Sequence, residues 1–291
     1  MATTTAPAVT TTQPFQKQLF NSLIYSNLPA NMPNMVRLDT NSTVWFNNDG
    51  SINQLWIQRY AQSVAAAGTK YVAIDIEDSA IDIRNSSAAV VNSKIQTMVQ
   101  IVNLLKQAAP GLQVGAYGFP FADYYPLQLY STAVAYRNGT KMDDPGTAYW
   151  AGNGFADATA RFTSLQRAND TLAPLLSVLD FAAPDLYTHV DLNAPGNMQN
   201  WQIYAAAAIQ EARRVMPGKP VLPFLQPQYT PEMGKLAGTD IPTNYWLQEV
   251  KTVWNDADGA IVWGGWNAQG REVWNPSAGW YSVIADGSFK N

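Results

Sequence analysis

Asp75 and Glu77 stand two residues apart at the end of Tyr71-Val-Ala-Ile-Asp-Ile-Glu77. Residues two apart in a strand project from the same face. Both carboxylates therefore leave one side of an otherwise apolar strand. In a parallel α/β barrel the carboxyl end of a strand is where chemistry sits. Two adjacent carboxylates repel, so one of them tends to hold a proton near neutral pH. A protonated carboxylic acid is what breaking a glycosidic bond requires as general acid. Taken alone, an Asp-x-Glu also serves as a loop start or helix cap, so the other strand ends must decide.

Those ends carry a consistent set of side chains. They offer Asp39, then Tyr117 with Asp123 and Tyr124, then Asp185, Tyr187 and His189, then Gln226 and Tyr229, and finally Trp263, Trp266 and Asn267. Aromatic rings stack on the apolar faces of pyranose rings, and carboxylates and amides bond sugar hydroxyls. Any one of these residues is more simply explained as core filling, a turn or a cap. Together they fall at one end of nearly every strand. The expected partner is thus an oligo- or polysaccharide, with Asp39, Tyr117, Asp123, Tyr124, Asp185, Gln226, Tyr229, Trp263 and Trp266 as its contacts.

The elements that would position them alternate along the chain. Strands are expected over 19–29, centred on Leu23-Ile24-Tyr25, and near 35–39, 71–77, 112–120, 179–187, 219–226 and 259–266. Helices are expected over 55–67, 92–109, 156–178, 198–216, 243–255 and 276–285. Leu55, Ile57, Tyr60, Ala61 and Val64 mark a buried stripe on the first helix, near a 3.6-residue period. Strand and helix in alternation imply a parallel sheet with helices outside. A Gly-rich phosphate loop, a P-loop and a Gly-x-Ser-x-Gly elbow are all absent from the sequence. The expectation is a single (β/α) TIM-like barrel of seven or eight strands over residues 17–291. Residues 1–16, rich in Thr, Ala and Pro, are expected to be a flexible lead-in. The long aromatic-rich excursion from Phe121 to Phe155 has the length of a functional loop or lid.

Composition narrows the partners. The chain of 291 residues is 47% hydrophobic and 14% charged, with a net charge of −4. An acidic chain is a poor ligand for nucleic acid, and no apolar run is long enough to span a membrane. There is no cysteine and one histidine, His189, so thiolate and multi-histidine metal sites are excluded. No metal or cofactor is expected. A monomer is expected, and so is secretion, with the signal peptide outside this sequence. Asn41, Asn85, Asn138 and Asn169 occupy Asn-x-Ser/Thr sequons, from which no host follows.

Five short stretches resemble the hyaluronidase-type glycoside hydrolases, in the same order and with broadly similar spacing from about residue 20 to 267. They are Ala73-Ile-Asp-Ile-Glu77, Val114-Gly-Ala-Tyr-Gly-Phe-Pro120, Ala183-Pro-Asp-Leu-Tyr187, Pro220-Val-Leu-Pro-Phe224 and Gly259-Ala-Ile-Val-Trp-Gly264. The chitinase-like barrels, which share the Asp-x-Glu strand, are a second analogy. The resemblance implies a seven-stranded barrel and a retaining hydrolase in which the substrate's own acetamido oxygen attacks the anomeric carbon. It implies that Glu77 is the proton donor and that Asp75 positions the acetamido group. It further implies that Tyr187 helps hold that group and that Trp263 lines the pocket. The sequence also departs from the family. Asp78-Ser79 replaces the Trp-Arg that commonly follows the catalytic Glu. The family's disulfide cysteines are missing, and Asp185 stands where the family has a small polar residue. Two alternatives stay open: a glycosidase for sugars without an acetamido group, using Asp185 or Asp39 as second carboxylate, and a non-catalytic glycan-binding or structural barrel. A lyase or aldolase would want a lysine at the strand ends, and Lys219 precedes its strand.

Overall fold

The computed structural model describes residues 15–43, 45–76, 81, 86–121, 158–267 and 270–290. Strands β1 (Gln18–Leu23), β2 (Met35–Asn41), β3 (Tyr71–Ile74), β4 (Gln113–Ala116), β5 (Phe224–Leu225) and β6 (Gly259–Gly264) form one parallel sheet in the order β4-β3-β2-β1-β6-β5. The extended segment 180–187 joins its two edges. On one side the Asp180 N–H bonds the Val114 carbonyl and the Gly118 N–H bonds the Ala183 carbonyl. On the other, the Leu222 N–H bonds the Ala182 carbonyl and the Leu186 N–H bonds the Phe224 carbonyl. Segment 180–187 makes single bridges rather than a continuous ladder, because Pro184 and Pro223 lack the donors a ladder needs. The sheet with this segment is the expected α/β barrel, with seven members.

Helices α1 (Gln54–Ala66), α2 (Ala88–Ala108), α3 (Ala158–Thr171), α4 (Ala173–Val178), α5 (Asn197–Val215), α6 (Thr243–Asp256) and α7 (Gly279–Asp286) follow or precede the strands. The Asn53 side chain caps α1 through the Trp56 N–H, and Ser87 caps α2 through the Val90 N–H. Ile57, Ala61 and Val64 of α1 are buried, as their period predicts, but Leu55 stands exposed at the first turn. The helix expected over 156–178 divides before Pro174, whose ring favours a first-turn position.

Alternation along each strand separates two cores. Val72, Ile74, Val114, Ala116 and Val262 face the helices. Phe20, Leu38, Ala73, Phe181, Ala183, Leu222, Phe224 and Ile261 fill the barrel. The small residues among them make room for the rings. At Gly115 an added Cβ would come within 2.1 Å of the Phe181 ring. Phe15, placed in the lead-in by composition, packs instead at the amino end of the barrel, 6.4 Å from both Phe20 and Tyr71 between ring centroids.

Between α6 and the strand-end loops lies a buried carboxyl. Glu249 accepts the Thr188 hydroxyl at 2.5 Å, and burial pushes its pKa from 4.5 to about 8. The folded state therefore keeps a proton that the unfolded chain releases, and stability falls as pH rises through the interval from about 4.5 to about 8. Glu249→Gln should flatten this slope and raise stability at pH 8 by roughly 1–3 kcal/mol, as read from urea unfolding at pH 5 and 8. Gly115→Ala should destabilise the fold by about 1–3 kcal/mol through overpacking against Phe181, seen as a lower midpoint in the same experiment.

Candidate active site

Strand alternation that places Ala73 inside the barrel carries Asp75 onto the same face, one layer nearer the carboxyl end. The Asp75 backbone is fixed on both sides. Its N–H bonds the Asn41 carbonyl at 3.0 Å, and its carbonyl accepts the Trp45 indole N–H at 2.9 Å. By the same alternation Tyr117 follows Gly115, Asp185 and Tyr187 follow Ala183, Gln226 follows Phe224, and Trp263 follows Ile261. These residues converge on one end of the barrel.

Asp185 is the centre of the group. It is 2% exposed. Its Oδ2 accepts the Tyr117 hydroxyl at 2.7 Å, and its Oδ1 accepts the Tyr187 N–H at 2.7 Å. A buried carboxylate without such donors would cost several kcal/mol. The tie also orders the rings. The Tyr117 and Tyr187 centroids lie 5.8 Å apart, and Tyr187 stacks on Trp263 at 6.0 Å with an interplanar angle of 24°. All three rings are only partly buried. They form an aromatic wall beside Asp75 at the mouth, with Gln226 buried behind it.

Other expected contacts lie elsewhere. Asp39 belongs to the outer face of β2. It pairs in register with Val72, which faces the helices, and its Oδ1 accepts the Tyr60 hydroxyl of α1 at 2.5 Å. The period was legible: Val36 and Leu38 are apolar on one face, which puts Arg37 and Asp39 on the other. Thr40, one residue on, is the inward residue that the sequence reading missed. It hydrogen-bonds Ser22 of β1, which lies near the end of β1 at Leu23 although the expected strand, centred on Leu23–Tyr25, places it near the start. Tyr229 is also not at the mouth. It is buried in the outer core, where its hydroxyl accepts the Leu192 N–H at 3.4 Å. His189 pairs through Nδ1 with the Thr230 hydroxyl at 3.1 Å. Trp266 stands beyond the barrel on a short hairpin and is 52% exposed. Glu77, Asp123 and Tyr124 lie outside the described residues, as does most of the aromatic excursion.

Lys219 lies at the amino end, as its place before the strand predicts. Its ammonium donates to the carbonyls of Leu176, Ser177 and Leu179, so it is no Schiff-base candidate. Among the described residues no three His, Asp or Glu side chains gather as a metal site. Asn169 is fully buried, clamps the Phe121 N–H and carbonyl, and donates to Glu211. That sequon is closed to modification once the chain has folded.

Neither a family model nor a curated protein matches the chain. Among solved structures, bee venom hyaluronidase is similar over 78% of this chain and 78% of its own, with a TM-score of 0.51 at 15% identity. The catalytic domain of β-amylase from Paenibacillus polymyxa is similar over 94% of this chain and 99% of its own, with a TM-score of 0.47 at 10% identity. An endo-1,4-β-D-mannanase from Thermotoga petrophila is similar over 89% of this chain and 76% of its own, with a TM-score of 0.44 at 14% identity. At 15% identity the likeness to the bee venom protein is one of fold.

Asp185→Ala would strand the Tyr117 hydroxyl and the Tyr187 N–H together. It should cost about 2–4 kcal/mol in unfolding free energy, with a change in near-UV circular dichroism as the stacked rings loosen. Asp185→Asn, which keeps one acceptor, should cost less.

Proposed function

We propose that this chain is a retaining glycoside hydrolase, with Glu77 as general acid and base and Asp75 as its partner. The observation that carries this reading is the convergence of Asp75, Tyr117, Asp185, Tyr187 and Trp263 on the carboxyl end of one barrel. A carboxylate beside an aromatic wall fits a sugar ring, with the ring's apolar face on the aromatics and its hydroxyls on the polar groups. By its spacing from Asp75, Glu77 is expected on the same strand face. The bee venom protein that shares the fold is by name a hyaluronidase, which supports a glycan as substrate.

The state of the other carboxylates favours substrate assistance over a protein nucleophile. A double displacement on the protein needs a second carboxylate that the sugar ring can reach at the mouth, and among the described residues the expected candidates are Asp39 and the almost fully buried Asp185. Asp39 is on the outer face with Tyr60, and both oxygens of Asp185 already accept hydrogen bonds. Asp185 is accordingly a positioning residue: it holds Tyr117 and Tyr187 in place.

The reaction then runs on a 2-acetamido sugar. The protonated Glu77 carboxyl gives its proton to the leaving glycosidic oxygen. The acetamido oxygen attacks the anomeric carbon and the glycosidic bond breaks, leaving an oxazolinium ring. Asp75 orients the acetamido N–H and offsets the charge that develops there. The Glu77 carboxylate next takes a proton from water. The water oxygen bonds the anomeric carbon, the bond from that carbon to the acetamido oxygen breaks and restores the acetamide, and the sugar is released with retained configuration.

Product release from polysaccharides with and without N-acetylhexosamine tests the reading. Cleavage should be confined to acetamido polymers and should drop about 10²–10⁴-fold in Glu77→Gln. Asp75→Asn should lower kcat more than it raises KM, and Asp39→Asn should change little. Full activity in Glu77→Gln would overturn the assignment. Cleavage of plain glycans would return the search to a protein nucleophile.

A further inference from the structure

Strands β1 and β2 pair only from Leu19–Met35 to Asn21–Arg37. Beyond that row β2 continues with β3, from Leu38 to Asn41, while β1 continues with β6 to Gly264. The two strands therefore part over their carboxyl halves. No helix connects them, and among the described residues the loop 24–34 lies over the gap, which the Ser22 and Thr40 hydroxyls bridge. A cavity of about 410 Å³ opens there, lined by Asn21, Asn31, Arg37, Asp39, Thr40 and Arg271 among others. Its volume falls within the usual range for small-ligand sites, and its polar lining has donors and acceptors in both signs of charge.

Arg271 comes from the hairpin of β7 (Trp266–Asn267) and β8 (Gly270–Arg271), where it lies directly opposite Trp266. Side chains directly opposite across an antiparallel pair share a face. The hairpin is held firmly to the barrel. The Glu272 carbonyl accepts the Ser26 N–H at 2.7 Å, and the Glu272 side chain accepts Asn267 Nδ2 at 2.7 Å and Gln228 Nε2 at 2.8 Å. Trp266 is the one exposed tryptophan among the described residues. Arg271 makes no ion pair among them. A half-exposed indole and an unneutralised guanidinium on one face are the two parts a sugar ring needs: an apolar plate and a donor for its hydroxyl edge. Trp266 is three residues from Trp263, so their Cα atoms are at most about 11 Å apart.

We propose that this cavity and Trp266 form a distal sugar site, which takes a pyranose residue of the same oligosaccharide whose other end lies in the mouth. The ring stacks on Trp266. Its hydroxyls meet Arg271 and Asn21. This rests on the glycan reading above and adds that chain length is recognised. The site makes the protein selective for chains over short glycosides.

The test is titration of chitohexaose, cellohexaose and mannohexaose, and of the matching disaccharides, into the wild-type protein and its Trp266→Ala, Trp266→Phe and Arg271→Ala variants, with cleavage followed in parallel. Trp266→Ala should weaken hexasaccharide binding about tenfold and disaccharide binding less than twofold. Trp266→Phe should recover most of the loss, and Arg271→Ala should show the same dependence on length. Unchanged hexasaccharide binding, or equal loss for both lengths, would overturn the distal site while leaving the hydrolase reading intact. Trp266-dependent binding without cleavage would keep the distal site and overturn the hydrolase. Neither binding nor cleavage in the wild-type protein would overturn both.

Discussion

The Asp185 carboxylate ties the mouth of the barrel together. It sits where a charge is costly, almost fully removed from water, and both of its oxygens are satisfied by groups that it thereby fixes. One is the Tyr117 hydroxyl after β4, the other the Tyr187 N–H on the closing segment. Tyr187 in turn stacks on Trp263 of β6. A single buried carboxyl group thus links β4 to the closing segment directly, and reaches β6, beyond β5, through the Tyr187 ring. The closing segment lacks a regular ladder, so these bonds carry part of the load that backbone pairing carries elsewhere.

Beneath this polar layer the barrel is apolar and tightly filled. Phe20, Phe181 and Phe224 occupy space left by Ala73, Gly115 and Ala183, and Phe15 and Tyr71 pack at the amino end. The division follows from strand alternation acting on every strand at once. Inward positions change from apolar to polar within a single layer, so chemistry is confined to one end. The same rule sends Asp39 outward to Tyr60 and brings Thr40 inward to Ser22.

The outer polar groups show how differently one residue type is treated by its surroundings. Glu249 keeps a proton under Thr188 because nothing cationic accompanies it into the core. Glu211, also buried, is met by both Arg214 and Asn169. The first is a site where stability depends on pH. The second anchors the start of the excursion after Phe121, since Asn169 also holds that residue's backbone at 2.8 Å.

The amino-acid sequence by itself determined the α/β barrel and the order of its strands and helices. An apolar run is a local property, and Val72, Ala73 and Ile74 declare a buried strand without help from distant residues. It also held the signal that Asp39 points outward, in the alternation of Val36, Arg37 and Leu38. Only the tertiary structure decided the rest. That Asp185 accepts two hydrogen bonds, that Tyr229 is buried in the outer core, and that β1 and β2 part to leave a cavity lined in part by Arg271 all depend on which strands meet and in what register. Register is fixed by packing between segments far apart in the chain, and no stretch of sequence read alone contains it.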